Sequence, residues 1–93
     1  MQFYHTTFTN NKDTVHPQFE VRNNKIYATV YNKEAGGKTS LPWYEIKGNN
    51  IHTTTYHPQG HDIRPMYEIR GNEVHTSLYN PNHSHTPIFN IKK

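Results

Sequence analysis

The chain has 93 residues, ten Lys and Arg against seven Asp and Glu, a net charge of +3 and no cysteine. That length allows one domain with a core close to the lower size limit, and the missing cysteines exclude a disulfide framework and a thiolate zinc site. The small, scattered positive charge argues against nucleic acid as a partner, because that needs basic residues gathered on one face. Leu, Ile, Val and Phe supply only 17 residues. Seven Tyr and one Trp add the buried area that keeps the chain on the folded side of the order–disorder boundary.

Taken from its first residue, the chain shows no apolar leader and no hydrophobic run of membrane length. A soluble protein of open compartment is therefore expected. "FYHTTFT" (residues 3–9) alternates like a strand, and the breakers of "NNKDTVHP" follow it. Pro17 then opens a unit: Phe19-Glu20-Val21-Arg22, the link Asn23-Asn24, and the second segment "IYATVYN". After the loop "NKEAGGKTSLP" comes "PWYEIKGNNIHTTTYHP" (residues 42–58). "HPQGHDIRP" leads on to "PMYEIRGNEVHTSLYNP" (residues 65–81), and "NPNHSHTP" to the final "PIFNIKK".

These segments are one unit repeated. Pro17, Pro42, Pro65 and Pro87 recur at intervals of 25, 23 and 22 residues, each followed at the second place by Phe19, Tyr44, Tyr67 or Phe89. The two-residue Asn-Asn and Gly-Asn links supply the positive φ of primed turns, so each unit reads as a β-hairpin, and helical periodicity is missing throughout. The fourth unit stops inside its turn at Lys93, and its second segment lies at the other end, where residues 3–9 align with "IYATVYN". The six residues 21–26 correspond to residues 91–93 and 1–3. The expectation is an all-β ring of four hairpins, closed by pairing of the first strand with the last. One domain covers residues 1–93, with units at about 17–41, 42–64, 65–86, and 87–93 plus 1–16.

A two-residue turn pairs Val21 with Ile26, Glu20 with Tyr27 and Phe19 with Ala28. The core face then carries the columns Phe19/Tyr44/Tyr67/Phe89, Val21/Ile46/Ile69/Ile91 and Phe3/Ile26/Ile51/Val74. That core is thin for the chain entropy it must offset, so homo-oligomerisation is a candidate source of further stability. The strand, Gly/Asn turn and strand-ending tyrosine of "YEIKGNNIHTTTY" resemble the bacterial four-fold beta-flower domains. The resemblance covers residues 3–92 and implies four petals around a pseudo-fourfold axis, with no activity and no site residues. The long loop holding Gly36-Gly37 departs from that symmetry.

On the other hairpin face, Glu45 is expected opposite His52 and Glu68 opposite His75. Two imidazoles and two carboxylates converging near the axis would be a weak metal candidate, against cross-strand pairing as the plain structural alternative. No catalytic residue and no cofactor are expected: His61-Asp62 has only Ser40, Ser77 and Ser84 to work with, none in a nucleophile elbow. His83 and His85 lie in a loop rich in Pro and Asn, which solvates them. Tyr31, Tyr56, Tyr79 and Phe8 end the second strands and offer stacking surfaces. Trp43 falls beside the aromatic column on the opposite face, where exposure and ligand contact are expected. The expected function is a non-catalytic binding module for a carbohydrate or a protein partner, without membrane contact. The opposing readings are a metal protein or small enzyme built on the Glu–His pairs, and a structural assembly subunit.

Overall fold

Eight four-residue strands carry the architecture in the computed structural model, which describes residues 1–6, 14–58 and 60–92. They are β1 (Gln2–His5), β2 (Phe19–Arg22), β3 (Lys25–Ala28), β4 (Tyr44–Lys47), β5 (Asn50–Thr53), β6 (Tyr67–Arg70), β7 (Glu73–Thr76) and β8 (Phe89–Lys92). Sequential antiparallel pairing closes them into a barrel. Closure comes from β1 and β8, with Phe3 opposite Ile91 and Tyr4 opposite Asn90. This is the ring that the split fourth repeat implied, and it leaves none of the eight described strands as a sheet edge. Two equal extents of 29 Å and a third of 23 Å describe a short disc, as four petals around an axis require. No helix among the described residues is long and apolar enough to cross a membrane.

Within a petal, four residue pairs align: Val21 with Ile26, Glu20 with Tyr27 and Phe19 with Ala28 in the first. Between petals only two pairs do, as Ile26 with Tyr44 and Ile51 with Tyr67. The turns differ in kind. Asn23 and Asn24 both hold positive φ, 53° and 63°, the signature of a type I′ turn. In the next two petals only the first central residue is positive, Gly48 at 62° and Gly71 at 60°, which is the type II′ pattern.

Period-two alternation turns Phe3, Ile26, Ile51 and Val74 inward, one from each petal, and all four are 1–2% exposed. Around them pack the partly buried Val21, Ile46, Ile69 and Ile91 and the aromatic column. One hydroxyl bond recurs in every petal. Thr29 and Thr54 Oγ1 and Ser77 Oγ each donate to a proline carbonyl twelve residues back at 2.5 Å, and Thr6 Oγ1 donates to Pro87 O at 2.7 Å. In three petals the same oxygen accepts the N–H of Tyr31, Tyr56 or Tyr79 at 3.2 Å. These hydroxyls tie the exit of each hairpin to its entry, which explains why a Thr or Ser recurs there. Ser77→Ala removes the donor to the part-buried Pro65 carbonyl and is expected to cost about 1–3 kcal/mol. In urea denaturation Thr55→Ala, at the exposed residue that follows Thr54, should change stability by less than about 0.5 kcal/mol.

Candidate functional site

The first residue of each even-numbered strand, Phe19, Tyr44, Tyr67 and Phe89, faces the axis at the barrel mouth where the inter-petal loops gather. Successive rings meet edge to face: Tyr67 and Tyr44 at 5.6 Å, Tyr44 and Phe19 at 5.8 Å, Phe19 and Phe89 at 5.5 Å between centroids. With the Phe3, Ile26, Ile51 and Val74 layer as floor, they bound a cavity of about 410 Å3, within the ~300–1,000 Å3 of small-molecule sites. One half of the wall is purely hydrocarbon, from two Phe. The other half carries two phenols.

The rim is polar and asymmetric. Asn32, Lys33, Glu34, Asn80, Asn82, Gln18, Thr76 and His5 line it. Asn32 and Asn80 hold equivalent places in the first and third petals and do the same structural work. Their amides donate to Gln18 O and Met66 O, and their Oδ1 atoms accept from the N–H of Glu34 and Asn82. Thr76 Oγ1 donates to Ser84 O and accepts from Ser84 N–H. Much of the rim's hydrogen-bonding capacity is therefore spent on holding loops.

In the second petal His57 stands where the first and third have Asn, and its Nε2 lies 3.0 Å from the Tyr44 hydroxyl. Burial, then the neighbouring Tyr67 phenol and the Glu34 carboxylate, raises the Tyr44 hydroxyl well above the ordinary phenol range. Burial also lowers His57, with Glu34 opposing. A protonated phenol and a neutral imidazole thus share this hydrogen bond. Because the folded chain resists protonating His57, the unfolded chain binds that proton first as pH falls through about 6.5. Stability is therefore expected to fall on acidification from neutral pH through that value. His57→Asn should remove this part of the slope in thermal melts between pH 7.5 and 5.5.

The residues singled out from sequence do not gather in this cavity. Glu45 and His52 are in register, as are Glu68 and His75, but on the outer face of the strands, where His75 is buried at 9% exposure, because the inward face is filled by the aliphatic and aromatic columns. Convergence on the axis is thereby corrected. Glu45 pairs with Lys25 and Lys47 at 3.6 Å, and Glu68 with Arg70. His52 Nδ1 lies 3.1 Å from Ile63 O, and His75 Nε2 3.2 Å from Glu73 Oε1. No group of three or more His, Cys, Asp or Glu that could hold a metal ion occurs among the described residues.

Tyr31, Tyr56 and Tyr79 are about half exposed and separate, one per petal. His16 stacks on Tyr31 at 4.4 Å and the Arg64 guanidinium lies 5.7 Å over Tyr79. Leu41 shares a shallow surface depression with Tyr56. The residues before Pro17 and Pro65 thus lie against the tyrosine that closes the same petal. Asp62 clamps Arg64 at 3.0 Å, and the guanidinium's hydrogen bonds hold its carboxyl down at about 2. Phe8 lies outside the described residues. Trp43 reverses its expectation: it is 7% exposed, edge to face with Phe19 and His57. It precedes β4, where the ladder's alternation does not yet apply, and its N–H and C=O are bound to Ile26 O and Thr54 N.

A comparison with known proteins finds no matching family, no matching curated protein and no matching solved structure. The cup was legible in one signal only: a single repeat carries a longer loop, and that loop brings Lys33 and Glu34 to the mouth.

Proposed function

We propose that the chain is a non-catalytic binding module whose ligand enters the axial cup. The observation that carries this reading is the wall of four aromatic rings around a 410 Å3 cavity. The closed ring of hairpins also supports kinship with the bacterial four-fold beta-flower domains. Trp43 provides a reporter, since it touches Phe19 in the cup wall at 6.0 Å. Fragments that shift Trp43 emission should lose binding in Tyr67→Leu and keep it in Tyr56→Ala. The opposite pattern would move the site to the petal rims and favour a carbohydrate stacked on the tyrosines, which a glycan array would then register.

A second reading, a module that docks on a protein or on its own copies, is favoured by Val30, Ile63 and Leu78. These side chains are 75%, 83% and 84% exposed at the petal edges. Light scattering checks it: a stable oligomer that Leu78→Ser dissociates supports docking at those edges, and a monomer at all concentrations removes self-association.

A further inference from the structure

We infer that the group held in the cup is an alkylammonium cation of the trimethylammonium type; this rests on the cup being the binding site. Three successive ring spacings of 5.5–5.8 Å, Tyr67 to Tyr44 to Phe19 to Phe89, set as sides of a square about the barrel axis, put a point between the rings about 4 Å from each centroid, within the ~6 Å reach of cation–π attraction. An ammonium carrying methyl groups suits such a site because it brings apolar surface and positive charge together. A sugar suits it less. Its hydroxyls need polar partners, and the Asn32, Asn80 and Thr76 groups at the mouth are already engaged in loop bonds.

The charged and titratable groups facing the cup are His5, Lys33, Glu34, Tyr44 and Tyr67. Tyr44 keeps its proton, so no phenolate supplies the negative charge. That role falls to Glu34, whose carboxylate acts on both Tyr44 and His57 across the mouth. Lys33, beside it in the same short 3-10 turn (Lys33–Ala35), is exposed. A cation seated on the rings would meet Glu34 at the exit, with the alkyl chain leaving toward solvent. A free quaternary amine and a trimethylated lysine side chain present the same headgroup.

The test titrates the whole chain with (2-hydroxyethyl)trimethylammonium and with 3,3-dimethylbutanol, its neutral counterpart with carbon in place of the ammonium nitrogen, following Trp43 emission and amide chemical shifts. The cation should bind about tenfold tighter than the neutral isostere, shifting residues of the cup wall. Glu34→Gln, an exposed change that leaves the fold alone, should weaken the cation several-fold and the isostere not at all. Equal binding of the two in the cup overturns the cation and leaves the cup standing. Shifts confined to the petal rims overturn both, and no binding of the cation overturns the inference. A short peptide carrying trimethyl-lysine, titrated beside the free amine, separates the two sources: tighter binding of the peptide assigns a protein side chain, equal binding the headgroup alone.

Discussion

Phe3→Ala is expected to cost about 3–5 kcal/mol of folding stability, the range for removing a buried aromatic side chain. Phe3 is 2% exposed, stands opposite Ile91 of β8 and Phe19 of β2, and meets the Phe89 ring at 6.0 Å. It therefore occupies the seam where the ring closes. A small domain has only about 5–15 kcal/mol in total, so the variant should unfold at much lower urea. A loss below about 1 kcal/mol would mean that the first strand is not part of the core. A permutant offers the complementary check. With its two ends joined by a short linker and the chain opened near Gly60, it should keep the ring, because the strands it connects are already paired. Failure of that permutant to fold, with Phe3→Ala tolerated, would contradict closure altogether.

Trp43→Ala is expected to cost a similar amount, about 3–5 kcal/mol. The indole packs against Phe19 and His57, and its backbone bridges two petals through Ile26 O and Thr54 N. Truncation would open a void behind the cup wall and loosen Phe19. Since this is the single Trp, unfolding of the variant must be followed by far-ultraviolet circular dichroism. Trp43→Phe, which keeps a ring, should recover a good part of the loss. A surface contact residue would behave otherwise, changing stability by less than about 0.5 kcal/mol while abolishing binding.

Ring closure, the hairpin pairings and the three inward columns were all readable from the repeat. Each depends on period-two alternation and a two-residue turn, which are local properties. Phe3 could be assigned to the core from the far end of the chain because the six residues of the first turn align with those across the termini. Trp43 escaped that logic because it lies one residue outside the ladder. Gln18 holds the equivalent place in the first petal and is buried too, at 3%, and a polar residue at that position concealed the pattern. The Glu–His pairs show the limit from the other side. Their register followed from the turn, but whether they faced the axis or the solvent depended on which face the closed barrel filled.

The amino-acid sequence by itself determined the four hairpins, their register and the closure, since turn chemistry and alternation act between near neighbours and the repeat writes them out four times. Only the tertiary structure decided that the aromatic column stands as a wall around a cavity, with Glu34 brought to its mouth. Whether inward rings fill a space or line one depends on the radius at which eight strands close, and no local pattern encodes that distance.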